Sequence, residues 1–249
     1  MKVITLTKRH LTAALCLCLS VLITSLCAGL GASAKRRIPI YCVDREEKVV
    51  ALTFDAAWGN EDTATLIEIL KKYNAKATFF VVGEWADKYP ESVKQLHDAG
   101  HQVQNHSNTH PDMTTVSKDR LMAELEECNN KVEAITGVRP NLFRAPFGAY
   151  NNDLLNATDS LKMHTIQWDV DSRDWKENYT TEMIVSGVVD NVKSGSIILF
   201  HNAAKNTPEA LPIILEKLST QGYSFVLVND LIYKENYTID HAGTQCKKP

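Results

Sequence analysis

Five short motifs carry side chains able to do chemistry together: "TFDAAWG" with Asp55, "NHSNTH" with His106 and His110, "LFRAPFGAY" with Arg144, "WDVDSRDW" with Asp174 and Trp175, and "SIILFHN" with His201. A carboxylate serves as a base or a metal ligand. An imidazole serves as a ligand when neutral and as an acid when protonated. His106 and His110 stand four residues apart. On a helical turn that spacing brings both rings to one side, and imidazole is a common ligand for zinc and similar divalent ions. The spacing alone fits a chance or capping pair equally well. Asp55 admits three readings: metal ligand, general base, or cap of the helix that follows, although Asn60 is better placed to cap it. Arg144 follows an apolar run and therefore needs a carboxylate partner, with Asp55 and Asp174 as candidates. His201, after five apolar or small residues, is positioned to give a proton to a leaving group. The remaining histidines, His10, His97, His101, His164 and His241, read as surface, core or leader residues.

These polar residues lie at or just beyond the ends of apolar runs. The runs are Val49–Phe54, Ala77–Val82, Gln102–His106, Leu142–Phe147, His164–Val170, Ser196–Phe200 and Ser224–Val228. Most are rich in Val, Ile, Phe or Thr, as buried strands are. Helical patterns lie between them at Asp62–Tyr73, Pro90–Ala99, Ser117–Thr136, Asn151–Leu161, Thr181–Val192 and Pro208–Gln221. The third is the clearest: Leu121, Leu125, Val132 and Ile135 form a stripe, Ser117 caps the start and Gly137 ends it. Alternation of this kind predicts an α/β fold with a parallel sheet. One polar strand end is most often a local cap. The same habit on five strands points to a shared site, which a closed or nearly closed (β/α) barrel collects on one rim. An open doubly wound sheet would gather fewer strands at its switch point.

The chain has 249 residues, 44% hydrophobic and 23% charged, an ordinary globular composition. Residues 1–37 differ. Lys2, Lys8 and Arg9 precede an apolar run from Leu11 to about Ala34, Ala32-Ser33-Ala34 resembles a secretory cleavage site, and Lys35, Arg36 and Arg37 follow. The segment reads as a signal peptide or an N-terminal membrane anchor, so the rest is expected outside the cytoplasm, with this segment contacting the membrane. Without Lys2, Lys8 and Arg9 the formal charge moves from −3 to −6, which argues against nucleic acid. No protein partner is predicted. Residues 38–237 read as one domain and 238–249 as a C-terminal tail. Outside the leader, Cys42, Cys128 and Cys246 form no CxxC. A Cys42–Cys246 disulfide is the expectation, and three free thiols the alternative. Nucleophile-elbow, P-loop and dinucleotide-binding motifs are absent.

In this order the motifs resemble those of polysaccharide deacetylases that share the chitooligosaccharide deacetylase (NodB) homology domain, over about Val49 to Tyr233. The resemblance implies a distorted (β/α) barrel of about seven parallel strands. It implies Asp55 as the base that activates the attacking water, His106 and His110 as ligands of a divalent metal (zinc, with cobalt or manganese as alternatives), and Arg144 as the partner that orients Asp55. His201 would be the general acid, tuned by Asp174. Trp175 and Leu199 would line the pocket for the acetyl methyl, and the backbone N–H near Phe147 would bind the oxyanion. The substrate implied is an N-acetylated glycan, peptidoglycan or chitin-like. The sequence departs from the family at one place: many members read T-F-D-D-G, the second Asp completing an Asp-His-His metal set, and here that residue is Ala56. A catalytic zinc ordinarily has three protein ligands. Asn60, Glu61, Asp62 or water would then have to complete the set. A degenerate glycan-binding protein is therefore the alternative to an enzyme, with a small-substrate amidase a third. The W-G variant resembles the branch associated with sporulation in Gram-positive bacteria.

Overall fold

The computed structural model describes residues 36–248. The leader, with Cys16, Cys18 and Cys27, lies outside the described residues except for its last two positions. The chain divides after Arg36, and every described strand and helix belongs to the unit from Arg37 onward. Among the described residues no helix is long and apolar enough to cross a membrane.

The strands are Cys42–Val43 (β1), Val49–Ala56 (β2), Ala77–Val81 (β3), Gln102–Asn105 (β4), Leu142–Phe143 (β5), His164–Thr165 (β6), Val170–Asp171 (β7), Ile197–His201 (β8), Ser224–Phe225 (β9), Tyr237–Ile239 (β10) and Thr244–Lys247 (β11). The helices are Thr63–Lys72 (α1), Gly83–Lys88 (α2), Pro90–Asp98 (α3), Lys118–Thr136 (α4), Asn152–Ser160 (α5), Thr181–Val189 (α6), Thr207–Thr220 (α7) and Val228–Leu231 (α8). Seven strands make one curled parallel sheet in the order β6-β5-β4-β3-β2-β8-β7, with β9 beside the start of β2. The fold is a distorted (β/α) barrel.

Strand β2 is the axis of the sheet. Seven of its eight residues are buried, as expected of a central strand covered on both faces. Leu52 and Phe54 point into the larger core with Leu66, Leu70, Leu211 and Ile214 of the flanking helices. The Phe54 ring stacks on Phe79 at 4.8 Å and on Phe200 at 5.3 Å. Each such aromatic contributes about 1.5–3 kcal/mol by burial. Ala51 belongs to the second core, with Phe80, Leu142, Ile166 and Ile197. Strand periodicity therefore places Asp55 on the opposite face from Phe54. The six helices expected from sequence are present, and α4 is capped as anticipated: Ser117 Oγ accepts from the Arg120 N–H, and Gly137, at φ 73°, ends it. Helices α2 and α8 carry no pattern long enough to foretell them.

Three sequence expectations need correction. The fifth apolar run is not one strand but two, β6 and β7, separated where the Gln167 N–H donates to Ile40 O at 2.7 Å. The segment read as a tail is a hairpin: β10 and β11 pair antiparallel, and β11 pairs in parallel with β1. Residues Ile40 and Cys42 form bridges to Ile166 and Ser196, so the N-terminal segment straps the space between the β6 edge and β8. The strap needs Gly195. Its φ is +80°, and a Cβ there would stand 1.7 Å from Val43 O. The expected Cys42–Cys246 disulfide is absent, and Cys42, Cys128 and Cys246 are free. Register explains this: Cys42 lies opposite Thr244, so Cys246 sits two residues further along the strand.

Candidate active site

The polar strand ends meet in one cleft of about 1040 Å³, lined among others by Asp55, His106, His110, Asp174, His201 and Leu199, with Phe147 and Trp175 at its walls. Arg144 lies beneath the floor and is fully buried. All nine residues singled out in the sequence are thus brought together. The backbone marks the same place. Ser107, His110, Phe147, Arg173 and Ala203 all adopt positive φ, between 55° and 66°. A left-handed non-glycine residue costs on the order of 1–3 kcal/mol, and such strain persists where the surroundings over-determine it.

Asp55 is 5% exposed. Its Oδ1 accepts from Arg144 Nη1 at 2.8 Å, and its Oδ2 lies 3.5 Å from His106 Nε2. Burial, the largest influence, pushes the carboxyl pKa up, but the Arg144 charge and hydrogen bond together with His106 and His201 outweigh it and hold it below the ordinary carboxylate value. Arg144 also donates from Nη2 to Gln167 O at 3.1 Å and stacks over the Phe80 ring at 4.3 Å. Of the two partners the sequence allowed, Arg144 takes Asp55 because Asp174 is engaged elsewhere.

Asp174 holds His201 twice. One carboxylate oxygen meets His201 Nδ1 at 2.8 Å, and the other accepts from the His201 backbone N–H at 2.9 Å and from Thr207 Oγ1 at 2.7 Å. Burial alone would lower the imidazole pKa. The hydrogen bond and charge of Asp174 prevail and raise it above the ordinary value. Asp55 and His201 therefore sit in environments that drive an acidic carboxyl and a basic imidazole apart, as an acid–base pair requires.

The histidine loop is shaped by α4. Glu124 is 1% exposed. It accepts from the Asn108 and Thr109 N–H groups at 2.7 and 2.8 Å, from Thr109 Oγ1 at 2.7 Å and from Arg120. Asn105 Oδ1 accepts from the Ser107 N–H and Ser107 Oγ from the His110 N–H. Gly83 makes room for the loop, since a Cβ there would meet Asn108 Oδ1 at 2.2 Å. A second clamp joins the loops after β2 and β8: Asn202 accepts from the Ala57 N–H and donates to Gly59 O, and Asp62 accepts from the Ala203 N–H. Asn60, expected to cap α1 with its side chain, instead donates to Ser92 Oγ.

The fit to a divalent ion is partial. His106 Nδ1 faces Arg144 O at 2.8 Å. A carbonyl only accepts, so Nδ1 carries the hydrogen and Nε2 presents its lone pair. Burial first of all lowers the His106 pKa to about 4, so the ring is neutral, and burial lowers His110 as well. A lone pair facing the Asp55 carboxylate is an arrangement that a shared cation relieves. The two rings lie 4.9 Å apart. Ala56, however, is buried against Phe54 and Val81 in the main core and brings no donor. Among the described residues no three His, Cys, Asp or Glu side chains group as a metal set. Of the loop residues the sequence offered as substitutes, Asn60 is spent on Ser92, and Asp62 gives one oxygen to the Ala203 N–H while its Oδ1 is buried without a hydrogen-bond partner among the described residues.

A family model for polysaccharide deacetylase matches residues 43–166. The chain is 36% identical over 189 residues to the peptidoglycan-N-acetylmuramic acid deacetylase PdaC of Bacillus subtilis, covering 76% of this chain and 40% of PdaC. It is 34% identical over 198 residues to PdaA of the same organism, also a peptidoglycan-N-acetylmuramic acid deacetylase, covering 78% of this chain and 75% of PdaA. A crystal structure of a CE4 family pseudoenzyme from Bacillus anthracis superposes with a TM-score of 0.75 at 36% identity, covering 78% and 68% of the two chains. A mutant of that protein with restored enzymatic activity matches with the same TM-score at 37% identity, covering 78% and 70%. The chain belongs to the polysaccharide deacetylase family. Its relatives in that family include deacetylases of cell-wall peptidoglycan and a protein described as a pseudoenzyme.

Proposed function

We propose that this chain is an extracytoplasmic N-deacetylase that removes the acetyl group from an N-acetylated cell-wall glycan, with Asp55 as base and His201 as acid. The observation that carries this reading is the paired arrangement in one cleft: a carboxyl bonded to Arg144, which lowers its pKa, and an imidazole bonded to Asp174, which raises its pKa. Asp55 Oδ2, the oxygen not bonded to Arg144, takes a proton from the attacking water as the oxygen bonds to the acetyl carbon. The C–N bond then breaks. The amine leaves poorly as an anion, so His201 delivers a proton from Nε2, the nitrogen not bonded to Asp174. Acid–base assistance of this kind contributes about 100- to 10,000-fold. The backbone N–H of Phe147 is the proposed donor to the carbonyl oxygen. Trp175 and Leu199 form the apolar pocket for the acetyl methyl.

His106 and His110 would hold a divalent ion, zinc or else cobalt or manganese. When bound it would supply positive charge to the carbonyl oxygen and acidify water. With Ala56 in place of a third ligand the hold is weaker than in a complete set.

Ala56, together with the similarity to a pseudoenzyme, favours one second reading: a glycan-binding protein without turnover. Acetate release from peptidoglycan and chitin fragments, measured with added zinc, cobalt or manganese, decides between them. Turnover above an Asp55→Asn control is expected, and its absence with every metal overturns the enzyme reading.

A further inference from the structure

Among the described residues the exposed side chains of Trp and Phe are Trp58, Phe147 and Trp175, at 54%, 72% and 56%. All three line the same cleft. Trp175 is already accounted for by the acetyl pocket, but Trp58 and the Phe147 ring are not. The Trp58 ring lies 5.9 Å from the His201 ring and 6.3 Å from the His110 ring, and the Phe147 ring lies 4.8 Å from the His110 ring. Two exposed aromatic rings thus adjoin His110, and one of them also reaches the proposed acid.

The surrounding backbone keeps both rings in water, at a cost. Phe147 sits at φ 59°, where an unbranched aromatic is strained and glycine would be cheaper. The loop bearing Trp58 is pinned on both sides: Ala57 donates to Asn202, and Gly59 O accepts from both Asn202 and Trp85 Nε1. An indole left 54% exposed on a rigid loop keeps much of its apolar surface out of the core. It gives a preorganised flat surface for a ligand that has a flat apolar face.

We infer that Trp58 is a stacking platform for a pyranose ring of the N-acetylated glycan. A hexosamine with equatorial substituents presents such a C–H face, and its edge hydroxyls meet the polar rim of Asp171, Lys205 and Asn206. This assignment rests on the glycan reading of the cleft but not on turnover, so binding is its test. The full chain is titrated calorimetrically with a chitin tetramer and with a peptidoglycan tetrasaccharide, as wild type, Trp58→Ala and Trp58→Phe, each checked for an unchanged thermal midpoint. Trp58→Ala is expected to weaken binding about tenfold, and Trp58→Phe to retain most of the affinity. Equal affinity of wild type and Trp58→Ala for both sugars overturns the platform, as does failure of the wild type to bind either. Tight binding lost in Trp58→Ala but without acetate release in any variant supports the platform and sinks only the hydrolase reading.

Discussion

Replacing Arg144 by Met tests the electrostatic centre of the site without relying on any activity. Arg144 is fully buried, and its guanidinium bonds the Asp55 carboxylate at 2.8 Å. Methionine keeps the apolar stem and removes the charge. Stripping one partner from a buried ion pair typically costs about 3–5 kcal/mol, because the other charge is left uncompensated. At about 2–4 °C per kcal/mol for a domain of this size, the thermal midpoint should fall by about 6–20 °C. The penalty must depend on pH in a definite direction. In the wild type the Asp55 pKa is depressed, so its contribution is present above the unfolded value and is lost as pH falls through the folded one. In the variant burial, which raises the pKa and is the largest influence, is opposed only by His106 and His201. The carboxyl then protonates on mild acidification, and the penalty should be largest near pH 7 and smaller near pH 5. Urea unfolding of wild type, Arg144→Met, Asp55→Asn and the double variant at both values gives the coupling energy. The double variant should recover at least half of the Arg144→Met loss. A loss under about 1 kcal/mol at pH 7, or one that does not change with pH, refutes the argument.

Asp174→Asn removes the hydrogen bond and the nearest charge that raise His201, so burial, which lowers its pKa, is opposed only by Asp55 and Asp171. Acetate release at neutral pH should fall by about 100-fold or more, and the alkaline limb of the pH–rate profile should shift to lower pH. The wild-type profile should be flat from below the ordinary carboxylate range to above the ordinary histidine value. Its acid limb belongs to Asp55, and its alkaline limb to loss of the His201 proton. Glu124→Ala removes the acceptor for two loop N–H groups and the Thr109 hydroxyl. It should cost about 2–4 kcal/mol in urea unfolding, with the loss traced to the 106–110 loop by hydrogen exchange. Zinc uptake measured by calorimetry should vanish in the His106→Ala, His110→Ala double variant and survive in Asp55→Asn.

The cluster was legible because buried strands shun charge. Asp55, Arg144 and His201 each break an apolar run, and parallel strands carry such breaks to one rim. The pairing of Arg144 with Asp55 was not legible as such, since the choice depends on Asp174 being taken by His201 and Thr207. Glu124 was hidden in another way: on a helix it reads as a surface acid four residues from Arg120, and only the returning loop makes it a buried anchor. Asp62, which the sequence offered only as a substitute metal ligand, accepts from the Ala203 N–H and so ties the loop after β2 to the loop after β8. The split of the fifth run and the terminal hairpin depend on pairing between distant segments, which local pattern does not encode.

The strap formed by β1 joins residues 202 positions apart, Cys42 and Thr244. Until Thr244–Lys247 is available, Cys42 and Val43 lack the strand that runs beside them, and only single bridges hold the strap to the sheet. Forming this pairing closes a very long loop, a non-local contact whose chain-entropy cost must be met before it gives any stability. Deleting Thr244–Lys247 should therefore loosen Cys42 and Val43.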